Sequence, residues 1–217
     1  NKGNTMQTIS TARSESQILA TNKVLKNTYA LLALTLLFSA ATAGVSMTLN
    51  IPSFGLLTLV GYFALLFLTT KFRDSGLGIL FVFMLTGFMG LTLGPILNAY
   101  LATTNGAQLV MTALGGTGAI FLALSGYVLT SRKDFSFMGG FLMVGILVAF
   151  LAGLGALVFS MPVLSLAVSG MFVLLMSGMI LYQTSEIIHG GETNYIMATV
   201  SLYISIYNLF LSLLHIL

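Results

Sequence analysis

The sequence predicts an all-α membrane protein of seven transmembrane helices, and three observations carry that prediction. Charge is scarce: 6% of the 217 residues are charged and 57% are hydrophobic, where a soluble domain carries about 25% charged residues. Every Lys and Arg falls into one of three short islands, Lys2 to Lys26, Lys71 to Asp74 and Arg132 to Asp134, and a fourth, acidic island runs from Glu186 to Glu192. Between them lie the uncharged runs 27–70, 75–131, 135–185 and 193–217. A hydrocarbon core about 30 Å thick takes roughly 20 residues of helix. Each of the first three runs therefore holds two spans and a turn, and the last holds one. Two spans per run return the chain to the same side each time. All the positive charge then shares one face, which the positive-inside bias assigns to the cytoplasm. With an odd number of spans the N-terminus is inside and the C-terminus outside.

The elements follow in order. Residues 1–27 are rich in Ser, Thr, Gln and Asn and read as a flexible cytoplasmic tail. Ile18, Leu19, Val24 and Leu25 offer a short interfacial helix as the alternative. The seven-helix domain occupies 28–217. Span one covers about Thr28 to Leu49; it is too long for a signal peptide and lacks a small-residue cleavage site. An uncharged turn at Asn50-Ile51-Pro52-Ser53 leads to span two, about Phe54 to Thr70. Span three runs from about Gly76 to Leu93, where Gly94-Pro95 is expected to break it. Spans four, five and six cover about Gln108 to Thr130, Phe137 to Phe159 and Val163 to Ser185. Gly190-Gly191 closes the inner loop, and span seven covers about Asn194 to Leu217. Glycine is concentrated within the spans, with Gly90 and Gly94 forming a GxxxG pair. Small residues let helix backbones approach in lipid, for tight packing within the chain or for a dimerisation face.

Several function classes drop out. The chain has no cysteine, which excludes disulfides, thiol catalysis and Cys metal sites. The sequence pI near 9.3 follows from membrane orientation; no basic stripe with interleaved aromatics suggests nucleic acid. There is no His-Glu-x-x-His. Ser125-Gly126 superficially resembles a serine-protease nucleophile, but His189 belongs to an inner loop and His215 to the outer end of span seven. The chain reads as a non-enzyme that needs no cofactor or metal, with the lipid bilayer as its first partner.

The polar content of the last two spans is more informative. Ser201, Ser205, Asn208 and Ser212 are spaced by four, three and four residues and so share one helix face. Unsatisfied polar groups are costly in hydrocarbon, so span seven is expected at the centre with the other six wrapped around it. The stripe serves as interhelical glue or as a polar pathway or sensor. Gln183 and Glu186 also share a face. Glu186, His189 and Glu192 gather at the cytoplasmic mouth. They read as a solvated loop or as a cation-attracting vestibule containing histidine, the residue type that switches charge near neutral pH.

Two segments, Thr21-Asn22-Lys23-Val24-Leu25-Lys26-Asn27-Thr28-Tyr29 and Ile187-Ile188-His189-Gly190-Gly191-Glu192-Thr193-Asn194-Tyr195, together with Gly94-Pro95-Ile96-Leu97-Asn98 and the stretch Tyr182 to Asn208, resemble the Bax inhibitor family of membrane proteins. The likeness is closest to its bacterial YccA type and runs from about Ser16. It implies two functions. One is modulation of FtsH, a membrane-anchored ATP-dependent protease, in membrane-protein quality control at the bacterial inner membrane. The alternative is a pH-sensitive leak of calcium or protons, sensed in the family by two aspartates. Those positions match Gln183 and Ser205 here. Two close carboxylates share a proton; an amide and a hydroxyl cannot, which lowers the leak reading.

Overall fold

The computed structural model describes residues 2–217. Its α-helices are α1 (Lys2–Thr48), α2 (Leu57–Lys71), α3 (Gly76–Leu101), α4 (Gly106–Ser131), α5 (Gly139–Val158), α6 (Pro162–Ile188) and α7 (Tyr195–Ile216), with a 3-10 turn at Ser136–Met138 before α5. No strand occurs among the described residues. Among the described residues, six helices are long and apolar enough to cross a membrane. The other, α2, has 15 residues and reaches about 22 Å. It starts later than its sequence suggests, because Gly55 at φ +59° turns the chain just before it. The loops α2–α3, α4–α5 and α6–α7 carry the charged islands and mark one end of the bundle, the charged end. The loops α1–α2, α3–α4 and α5–α6, free of charged residues, mark the other.

Three expectations change. The tail is not separate from the first span: α1 is helical from Lys2 onward. No Gly or Pro interrupts the chain between Gly3 and Gly44, so nothing stops a helix nucleated in the membrane from propagating outward. Residues 3–20 of this extension are exposed, and Val24 and Leu25 already pack on the core. Second, α7 is the most buried span, but α1, α3, α4 and α6 supply its main packing; α2 leans on α3, and α5 on α6. The outward side of α5, with Phe141, Val144, Leu147 and Leu151, is exposed and apolar, as a lipid-facing surface must be.

Third, α3 passes through Gly94-Pro95 and ends at Leu101. Proline lacks the N–H that would bond the carbonyl four residues back, which here belongs to Leu91. The Ser46 hydroxyl of α1 donates to that carbonyl at 2.7 Å. Gly94 makes the approach possible: a Cβ there would collide with the Ser46 side chain. Four residues earlier Gly90 fits against Ser39 and Thr42 of α1 in the same way. Asn98 completes the clamp, its Nδ2 donating to the Met47 carbonyl at 3.2 Å.

Ser46→Ala is expected to destabilise the protein by about 1 kcal/mol by orphaning the Leu91 carbonyl, as read by denaturant unfolding in mixed micelles. In a Pro95→Ala background, where residue 95 regains its N–H, the same change is expected to cost much less. Gly94→Ala is expected to cost about 1–3 kcal/mol through overpacking, whereas Gly155→Ala, into open space, leaves stability within about 0.5 kcal/mol.

Candidate functional site

On the predicted stripe, Ser205 is buried and its hydroxyl lies within donating distance of Gln183 Oε1 on α6, at 3.1 Å, and of the Ser201 carbonyl, at 3.0 Å. A hydroxyl has one proton, so the link to α6 competes with a bond inside α7. Asn208 turns inward on its own helix, Nδ2 donating to the Ile204 carbonyl at 2.9 Å. The structure thus joins Gln183 to Ser205, a neutral amide–hydroxyl pair between α6 and α7. The other hydrogen bonds of Ser205 and Asn208 stay within α7.

A second polar face of α7 does more of the joining, and the serine spacing did not reveal it. The Tyr203 hydroxyl lies 2.5 Å from Ser39 Oγ on α1 and donates to the Thr86 carbonyl on α3 at 3.3 Å. Tyr207 pairs with Thr92 of α3 at 2.8 Å. Thr199 Oγ1 donates to the Tyr195 carbonyl at 2.8 Å and reaches the Thr28 carbonyl of α1 at 3.3 Å. Thr199, Tyr203 and Tyr207 recur every four residues, so the signal was present. Serine can satisfy itself on its own helix, while tyrosine is long enough to cross to the next. Elsewhere the Tyr29 hydroxyl bonds Ser125 of α4 near the charged end, which occupies the one serine that resembled a nucleophile. His215 sits instead at the uncharged end, its Nε2 3.3 Å from Ser165 Oγ.

At the charged end the expected mouth divides in two. His189 turns toward the α4–α5 loop: Nε2 is 3.0 Å from the Arg132 carbonyl and Nδ1 is 2.9 Å from the Ser185 carbonyl. Ser185 Oγ accepts from the Phe135 amide at 2.9 Å and lies 3.4 Å from Asp134 Oδ1. Glu192 belongs to the other group. Its Oε1 accepts from the Asn194 amide at 2.9 Å. Asn194 Oδ1 caps α7 by accepting from the amides of Ile196 and Met197, and its Nδ2 donates to the Arg73 carbonyl and Asp74 Oδ1 in the α2–α3 loop. Glu186 lies over Gly191, where a side chain would collide with its carboxylate. The left-handed Gly190, φ +80°, reverses the chain between the two groups. Among the described residues no three His, Asp or Glu side chains are placed to hold a metal ion.

Two loop charges are tuned. The Ser136 amide donates to Asp134 Oδ1 at 2.9 Å and, with the Ser136 side chain, holds that carboxyl below its ordinary value. A hydrogen bond to Tyr127, whose ring also lies 5.6 Å from the ammonium, raises Lys133. Both groups are exposed, so these shifts describe loop geometry more than stability.

The chain also matches known proteins along nearly its whole length. The family described as "Inhibitor of apoptosis-promoting Bax1" matches residues 21–217. The chain is 54% identical over 210 residues to "Modulator of FtsH protease YccA" of Escherichia coli K12, covering 96% of this chain and 95% of that one. The same identity and coverage hold for "Inner membrane protein YccA" of Escherichia coli O6:H1. An uncharacterized membrane protein of Vibrio cholerae is 46% identical over 206 residues, covering 94% and 92%.

Because the Asp134 value is depressed in the folded protein, its contribution is present above the ordinary carboxylate range and is lost as pH falls below about 4. Hydrogen exchange at the Ser136 amide is expected to accelerate through that window, and Asp134→Asn to remove the acid-dependent step. Separately, Asn194→Ala is expected to cost about 1 kcal/mol as a lost helix cap, with faster exchange at Ile196 and Met197.

Proposed function

The chain belongs to the family of the inhibitor of apoptosis-promoting Bax1, and on that premise we propose that it is an inner-membrane modulator of an FtsH-type ATP-dependent protease, acting by binding and not by catalysis. The observation that carries this reading is the 54% identity, along 96% of the chain, to a protein named for modulating FtsH. In this reading the charged end faces the cytoplasm, in accord with the positive-inside bias, and α1 projects there.

The structure supports a mechanism. An ATP-driven protease needs an end to grip. The exposed first five turns of α1 leave the bundle as a lone polar helix, and an isolated helix of that length is marginal in water, so it frays readily into a handle. Beyond the handle, pulling meets resistance. The same helix is keyed into α3 through Gly90, Gly94 and the Ser46–Leu91 bond, and tied to α7 through Ser39 and Thr28. A protease that engages α1 must break these contacts together. It is held in a slow attempt while other substrates wait. The two positions marked by the resemblance for ion sensing hold the neutral Gln183–Ser205 bond, so regulation is preferred to an ion leak.

The test is reconstitution of the protein with an FtsH-type protease, ATP and a second membrane substrate. The full chain is expected to slow degradation of that substrate, and a chain beginning at Ser16 to lose the effect while remaining folded. Equal inhibition by the truncated chain would overturn the handle; no inhibition by either would overturn the modulator reading.

A further inference from the structure

Between α1 and α4 the bundle is open. At the charged end Tyr29 joins Ser125, but the two helices then separate toward the uncharged end. The gap there is a cavity of about 420 Å³ whose floor is α7, with Tyr203, Ile206, Tyr207 and Phe210, and whose back wall is α3. That volume falls in the range of small-ligand sites, roughly 300–1,000 Å³. Its rims are small: Ala40, Ala43 and Gly44 on α1, and Gly118 on α4. Unlike Gly90 and Gly94, the glycines Gly44 and Gly118 serve no internal contact, since a Cβ at either would meet nothing within 4 Å.

We propose that this groove is a binding site for an acyl chain of a phospholipid in the leaflet at the uncharged end. The groove follows α1 from Leu36 to Met47, roughly 16 Å at 1.5 Å per residue, a path that an extended acyl chain can follow. The surroundings argue for hydrocarbon. The lining is apolar apart from hydroxyls, and the Ser39–Tyr203 pair at its floor is already hydrogen-bonded. Hydrocarbon gains no hydrophobic free energy by moving from lipid into a groove. What it gains is dispersion contact, which walls left without partner atoms forfeit.

The charge distribution selects the source. A free fatty acid brings a carboxylate, and no Lys or Arg lies in the loops at the uncharged end. A phospholipid leaves its headgroup at the interface and requires no such partner. Bound there, the chain fills the space between α1 and α4 and props α1 against α3.

The experiment uses the full chain in phosphatidylethanolamine–phosphatidylglycerol vesicles containing a phospholipid with a photoreactive diazirine near its acyl terminus. Adducts are mapped by mass spectrometry. They are expected at Ala40, Ala43 and Phe210 well above the level on the lipid-facing side of α5 at Leu147. Filling the groove with Ala43→Phe and Gly118→Phe is expected to reduce groove adducts roughly tenfold, the change produced by about 1.4 kcal/mol of lost affinity, and to leave those at Leu147 unchanged. If the double variant unfolds, Gly44→Leu alone serves, with the same expectation. Groove labelling no higher than at Leu147, or unaltered in the folded variant, would overturn the site. Labelling by a diazirine fatty acid but not by the phospholipid would overturn the source. The chain has no cysteine, so Ala43→Cys reports a competing occupant. A disulfide-linked dimer through that position, with no lipid adducts, would assign the groove to a second copy and overturn the proposal.

Discussion

The contact on which the rest of the structure depends is the one between Ser46 and the carbonyl of Leu91. In hydrocarbon an unbonded carbonyl has no water to turn to, so a proline inside a span creates a demand that a neighbour must meet. Pro95 makes that demand, Gly94 removes the obstacle beside it, and Ser46 answers it. The result fixes α1 against α3 at one height and in one rotation. Everything on α7 then has defined partners: Tyr203 finds Ser39 and Thr86 together only because α1 and α3 are already aligned. The segment Gly94-Pro95-Ile96-Leu97-Asn98, which reads in the sequence as an ending, works instead as a clamp.

The architecture was legible where it follows from the cost of charge in lipid. The islands at Lys71, Arg132 and Glu186 place three loops at one end without any structural information, and the uncharged turns fall between them at the other. What was not legible depends on what stands opposite. Gly94-Pro95 predicts a break unless Ser46 is known to be across from it. α1 continues through the change in polarity at Asn27 because no Gly or Pro breaks it there. The serine stripe shows the same limit. Spacing identifies a face, but a serine that bonds its own helix and a tyrosine that crosses to another look alike in a helical repeat. Among the mouth residues, His189 and Glu192 are three apart, and spacing alone groups them. The reversal at Gly190 sends them to different loops.

The Gln183–Ser205 pair bears on how such a bundle responds to its surroundings. A carboxylate pair at this depth would change charge with pH and with it the force between α6 and α7. An amide and a hydroxyl do not change charge across the physiological range, so this junction carries no such pH-dependent force. Polar bonding at the charged end is divided between the α4–α5 loop around Asp134 and His189 and the α2–α3 loop, which holds the α7 cap through Asn194. Both loops grip the two ends of one short connection, residues 189–194.

A helix that is both exposed leader and keystone has a mechanical consequence. In the proposed mechanism, force applied through the frayed first turns of α1 reaches the packed helix at Thr28 and is carried along it to Ser39, Thr42 and Ser46, which contact α7 and α3. Those contacts are individually small, since hydrogen bonds between membrane helices contribute about 0.6 kcal/mol on average, but a rigid helix loads them together rather than one at a time. The opening between α1 and α4 adjoins the same contact, since Leu93 and Leu97 of α3 and Ser39 of α1 line it; in the proposed reading, what fills it bears on whether α1 can lean away from α3. In that reading, resistance to extraction depends on how α1 is held by the glycine clamp and by the groove beside it.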